Sequence, residues 1–155
     1  MADNLRKPAL DNYALICQCL DELEIKYEKE EDKLSVHFPF MSEQKEVIYV
    51  GFYVRESQQL ISLNIFPDYK VNQSKIIEMA IATSQFNYFL YDGSLDLNVG
   101  TGEMLFRMTS NFWDSLLSVE VIKQMLVVGI NSASEKFSIL KKLNNDEVKL
   151  DDIFK

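Results

Sequence analysis

The chain has 155 residues, 47% hydrophobic and 26% charged, which is ordinary globular usage and enough length to bury a core without disulfides or metals. Its formal net charge of −8 disfavours phosphate backbones and anionic lipid surfaces, so nucleic-acid and membrane-surface partners are not expected. No window is long and apolar enough to read as a membrane span, and the first residues lack the apolar region of a signal peptide, so a cytoplasmic protein is expected.

The chain reads as a single domain, 1–155, with a core of about 8–143, a leader at 1–7 and a tail at 144–155 that is either loose or docked as a short amphipathic piece. Pro8 opens the first helix, where its missing N–H costs little. Leu10, Tyr13, Ala14, Cys17, Leu20 and Leu23 recur at three- and four-residue spacing to about Glu24, one face of a helix suited to packing on a sheet. Cys17 and Cys19 lie too close on a helix to bridge and read as reduced thiols. With His37 as the only histidine, they offer too few ligands for a metal site.

Ile25 and Tyr27 suggest a short strand before the charged turn Glu28 to Lys33. Leu34, Val36, Phe38 and Phe40 then alternate with Ser35, His37 and Pro39, the period of a half-buried strand. The segment Glu46 to Arg55 is apolar on both faces. Val47, Tyr49 and Tyr53 lie on one side, and Ile48, Val50, Phe52 and Val54 on the other. Such a strand is central or covered by a partner. Gly51 in its middle hints at a bulge or a close approach. A further strand runs from Gln59 to Phe66 and ends at Pro67 and Asp68.

Asn72 is placed to cap the next helix, which runs to about Phe89 with Ile76, Ile77, Ala80, Ile81 and Ser84 as its inner stripe. Asp92 and Gly93 release the chain into a hairpin. Leu95, Leu97 and Val99 alternate outward, and Gly100 to Gly102 supply a turn that needs positive φ. Glu103 to Thr109 then return with Met104, Phe106 and Met108 on one face. A connector carrying Phe112 and Trp113 leads to Ser118, the N-cap of a last long helix reaching about Leu143. Gly129 inside that helix marks close packing, a kink or a break. Helices do not alternate one for one with strands, so the class is α+β with a twisted antiparallel sheet, ordered α-β-β-β-(β)-α-β-β-α.

Several of these residues resemble the YbjN family: Phe86 and Asn87 at the helix end, Asp92 to Leu97, Gly102 to Arg107, and Leu117 to Ile122 opening the last helix. The resemblance spans about Asp11 to Leu143. It implies a fold like the type III secretion chaperones, with α-β-β-β-α-β-β-α order, and a regulatory or chaperone-like role.

Chemistry offers little else. His37 cannot be paired from sequence with a nucleophile and a carboxylate, and the run Glu28 to Asp32 reads as a solvated turn. No catalytic, metal or cofactor residues are expected. The excess of apolar side chains points instead to a partner surface. The residues expected to line it are Tyr49, Gly51, Tyr53, Phe66, Phe112 and Trp113. The expected function is a non-catalytic protein-binding module that forms a homodimer and binds a further protein. A small-molecule or lipid-binding protein, with a cavity between sheet and helices, is the alternative.

Overall fold

The computed structural model describes residues 2–155, with side chains from Leu5 onward. Helix α1 spans Ala2–Glu22, and strands β1 to β4 span Glu28–Glu30, Ser35–Met41, Val47–Arg55 and Leu60–Pro67. Helix α2 covers Ile76–Phe89, strands β5 and β6 cover Ser94–Leu97 and Met104–Asn111, and helices α3 and α4 cover Val119–Asn144 and Leu150–Ile153. The sheet has six strands in the order β1-β2-β3-β4-β6-β5, with every neighbouring pair antiparallel. The α+β class and the expected element order hold, with α4 added at the end.

The period-two pattern explains the layering. Val36 and Phe38, Ile48 to Val54 at alternate positions, Ile61, Leu63 and Ile65, and Met104, Phe106 and Met108 all turn to one face and are buried. Helices α1 and α3 cover that face, and α2 packs against β5 and α3. Gly129 sits where α3 crosses the sheet. A Cβ there would come within 2.8 Å of Leu63 Cδ2 and 3.2 Å of Ile65 Cδ1. Helix α3 is continuous through it, so of the three expected meanings of this glycine the helix adopts close packing.

Buried amides fasten the connections. Asn12 on α1 is fully buried; it donates to the carbonyls of Pro8 and Ser115, both at 2.8 Å, and accepts from Leu117 N at 3.0 Å. Asn144 closes α3 onto the β4–α2 connection by accepting from Asn72 N at 2.8 Å and donating to the Lys70 carbonyl. Asn87 reaches from the last turn of α2 to both backbone groups of Leu95, accepting from its N–H at 2.8 Å and donating to its carbonyl at 2.9 Å. It thereby occupies the outer edge of β5, which would otherwise offer free pairing groups.

Several boundaries differ from expectation. Helix α1 begins at Ala2, so Pro8 lies inside it rather than in its first turn. Residues 5–7, read as leader, are held by Arg6 bonding Glu56 at 2.7 Å and by Gln59 Nε2 donating to the Leu5 carbonyl; the leader's first residue lies outside the described residues. The short strand forms at Glu28–Glu30 and not at Ile25 and Tyr27. Val99 is exposed, because β5 stops at Leu97 and Asn98 Oδ1 draws in the N–H groups of Gly100 and Thr101. Only Gly102 of the two turn glycines takes positive φ, and a Cβ there would strike the Val71 carbonyl oxygen. Asn72 does not cap α2; a short 3-10 turn, Gln73–Lys75, intervenes, and the Asn72 side chain bonds the Asn144 carbonyl. Ser118 does cap α3, accepting from Val121 N.

The inner stripe of α2 is the largest correction. Met79, Ala82, Thr83 and Phe86 are buried, whereas Ile77 is 76% exposed and Ile81 51% exposed. In the tail, Val148, Leu150, Ile153 and Phe154 pack on the core, and the Phe154 ring meets Phe86 edge-on at 4.9 Å between centroids.

Candidate partner-binding surface

The face of the sheet away from α1 and α3 carries the side chains of opposite parity, and strand register sorts them into rows. Pro39, Tyr49 and Phe66 pair in one row; His37, Gly51, Asn64, Arg107 and Ser94 in the next; Ser35, Tyr53, Ser62 and Thr109 in the third. The first row is apolar and the other two are largely polar. This face is therefore not the uniformly greasy layer that the two-sided pattern of β3 suggested. Parity within β3 was legible, but the polar residues that β4 and β6 set beside it depend on register.

The apolar row opens into a groove of about 740 Å³, lined by Tyr49, Phe66 and Pro39 together with Ile25, Tyr27 and Phe40. It exists because β1 is short. β1 pairs with β2 only from Ser35 to His37, so the edge of β2 beyond His37 has no neighbouring strand and the chain at Ile25 to Tyr27 leaves a cleft. Tyr49 is 51% exposed.

His37 sits at the polar end of this groove. Its Nε2 lies 3.0 Å from Glu30 Oε1 and 3.1 Å from Ser35 Oγ, and its ring meets Tyr53 edge-on at 5.3 Å. Gly51 leaves the space that the Tyr53 ring occupies, since a Cβ there would come within 2.9 Å of Tyr53 Cε2. The Lys33 ammonium, bonded to Glu30, holds that carboxyl below the usual range, with a smaller contribution from His37. Burial pushes the Tyr53 phenol up. Serine, histidine and glutamate thus meet, but the hydroxyl and the carboxylate address the same ring nitrogen. A nucleophilic relay places them on opposite nitrogens. Among the described residues no group of three or more His, Cys, Asp or Glu side chains is placed to hold a metal.

Of the six expected surface residues, Tyr49, Gly51, Tyr53 and Phe66 line this groove together. Phe112 does not belong with them. It is 1% exposed, a core side chain, because it continues the inward parity of Met104, Phe106 and Met108, with its N–H bonded to the Gln59 carbonyl. Trp113 is 71% exposed but lies just beyond the end of β6 that pairs with Leu60, at the far end of β4 from Phe66. Sequence reasoning missed Ile25, Tyr27 and Phe40 as groove walls. It also missed a second apolar surface, the outward side of α2, where Ile77, Ile81, Tyr88 and Phe89 are exposed. Its signal was present: α2 is apolar on every side, more than one core can absorb.

The fold is that of YbjN and the type III secretion chaperones. The crystal structure of YbjN from E. coli superposes with a TM-score of 0.63 at 15% identity, covering 83% of this chain and 89% of that one. The ExsC–ExsE complex aligns at TM-score 0.52 and 9% identity, over 77% of this chain and 85% of that one. The HopA1–SchA chaperone–effector complex aligns at 0.52 and 13%, over 79% and 88%. No family model matches the chain, and no curated sequence matches it. No helix among the described residues is long and apolar enough to cross a membrane.

Proposed function

We propose that this chain is a non-catalytic, cytoplasmic protein-binding module that self-associates through α2 and holds a partner polypeptide in the groove between Tyr49, Phe66 and Tyr27. The observation that carries this reading is the groove itself, an open apolar cleft beside an unpaired stretch of sheet edge. Extended polypeptide is the ligand that uses both features, backbone to the edge and side chains to the cleft. Two of the similar structures are complexes, one of them of a chaperone with its effector, which supports a protein as the ligand. The net charge of −8 favours protein over nucleic acid. The two buried free thiols, Cys17 and Cys19, suit a reducing compartment.

Self-association draws on the α2 side chains, where Ile77 and Ile81 are one turn apart, Tyr88 continues the exposed strip, and the exposed Phe89 ring meets Tyr88 edge-on from the adjoining side. The alternative, a ligand held between sheet and helices, has no observation in its favour; that layer is filled by Phe52, Phe106, Phe137 and Leu63. Sedimentation velocity tests the α2 surface. Ile81→Glu is expected to convert a dimer to a monomer, and a monomeric parent chain would contradict it. Affinity capture tests the groove. Tyr49→Ser with Phe66→Ser is expected to release the captured partner without changing the sedimentation coefficient.

A further inference from the structure

Away from the apolar row the same sheet face changes character. A second groove, of about 780 Å³, is lined by Arg55, Ser62, Asn64, Arg107 and Thr109, with Glu56 on its rim. Two guanidiniums, which only donate, face it. The Arg55 guanidinium lies over the Tyr53 ring at 5.3 Å and makes no ion pair among the described residues. Arg107 bonds Asp96 at 3.0 Å with both side chains well exposed, a surface pair that holds only weakly. A guanidinium has five N–H donors, so this pair leaves it able to take another carboxylate. Asn64 lines this groove and accepts from Ser62 Oγ at 2.8 Å. The carboxylate on the rim, Glu56, is already bonded to Arg6 at 2.7 Å. In a chain of net charge −8 this concentration of donors selects an anion.

We infer that the partner segment is apolar at one end and acidic at the other, its apolar residues in the Tyr49–Phe66 groove and its carboxylates on Arg107 and Arg55. This rests on the protein-binding reading above and adds the chemistry of the partner. Spacing fixes the pattern. Phe66 and Arg107 are diagonal neighbours across β4 and β6, about 7–8 Å apart. Tyr49 and Arg55 are six positions apart on β3, about 20 Å. The acids therefore fall some two to six extended residues from the apolar anchor. The Tyr53 ring lies between His37 and Arg55, so a segment reaching Arg55 passes over it, whereas one reaching Arg107 does not.

Fluorescence anisotropy with the full chain tests this. The probes are labelled synthetic peptides of about eight residues, long enough for that span. One carries a Leu-Phe pair and a Glu pair at opposite ends, in either order; a second has Lys in place of Glu. The glutamate peptide is expected to bind at least about tenfold more tightly than the lysine peptide, and to weaken as salt is raised. The double variant Arg55→Gln, Arg107→Gln is expected to lose that preference, and Arg55→Lys, Arg107→Lys to keep most of it. Equal binding of the two peptides by the parent chain, or an undiminished preference in the glutamine variant, overturns the inference. Loss of both peptides in Tyr49→Ser, Phe66→Ser supports the apolar half. If that variant keeps the charge preference and full affinity, the groove reading fails instead, so the two failures are separable.

Discussion

Asn12 shows how much a single buried amide holds. It ties α1 to the connection between β6 and α3 through two hydrogen bonds, to the Ser115 carbonyl and from Leu117 N, and makes a third within α1 to the Pro8 carbonyl. Replacing it by Ala removes the acceptor of the half-buried Leu117 N–H, whereas the carbonyl of exposed Ser115 can turn to water. Urea unfolding of Asn12→Ala is expected to show a loss of about 1–3 kcal/mol, the cost of one buried group left unpaired. Phe112 and Trp113 make the matching contrast. Phe112→Ala is expected to cost about 3–5 kcal/mol as a core deletion, and Trp113→Ala less than about 0.5 kcal/mol. The sequence marked both as aromatic residues in a connector, yet Phe112 continues the inward parity of Met104, Phe106 and Met108, and its N–H bonds the Gln59 carbonyl just past the β4–β6 pairing; Trp113, the next residue, leaves that ladder with positive φ. Tyr13 carries a pH dependence. Burial pushes its phenol up to about 12. The unfolded value is about 10, so the folded chain retains a proton that the unfolded chain has lost, and stability falls as pH rises from about 10 to about 12. Tyr13→Phe is expected to lessen the slope of that limb of a stability–pH curve, the rest of which comes from Tyr27, Tyr53 and Tyr69, also pushed up by burial.

At the scale of elements, strands were easier to read than helices. Alternation in β2, β3 and β6 separated their two faces correctly, because parity is a local property. Helix α2 defeated the same reasoning. It offers apolar residues all round, so Ile77 and Ile81 matched a helical stripe as well as Met79 and Phe86 did. What decided the matter was tertiary: Asn87 locks the helix end to Leu95, and that fixes which side faces the sheet. Gly129 was visible as an anomaly but not as a contact. Gly129→Ala gains about 1 kcal/mol of helix propensity and loses about 1–3 kcal/mol to overpacking against Leu63 and Ile65. Thermal melts are expected to show a net destabilisation, since two branched side chains must give way at once.

For the whole molecule, the fold followed from element order, and the likeness to YbjN confirms it. The surface was harder. Composition correctly indicated apolar side chains beyond what one covered sheet face absorbs, yet placed them on the outer sheet alone. They are divided between the groove near Tyr49 and the outer side of α2, with a polar floor between the groove and Arg107. That floor arises from residues more than 40 positions apart, Asn64 and Arg107, which only strand register brings together. Position-specific photocrosslinking in living cells is the most direct test of the binding claim. A photoreactive phenylalanine at Tyr49 is expected to join the chain to a second polypeptide, and the same group at the exposed Glu135 on α3 to give no adduct. Absence of any adduct from position 49, with the protein folded and abundant, would contradict the account.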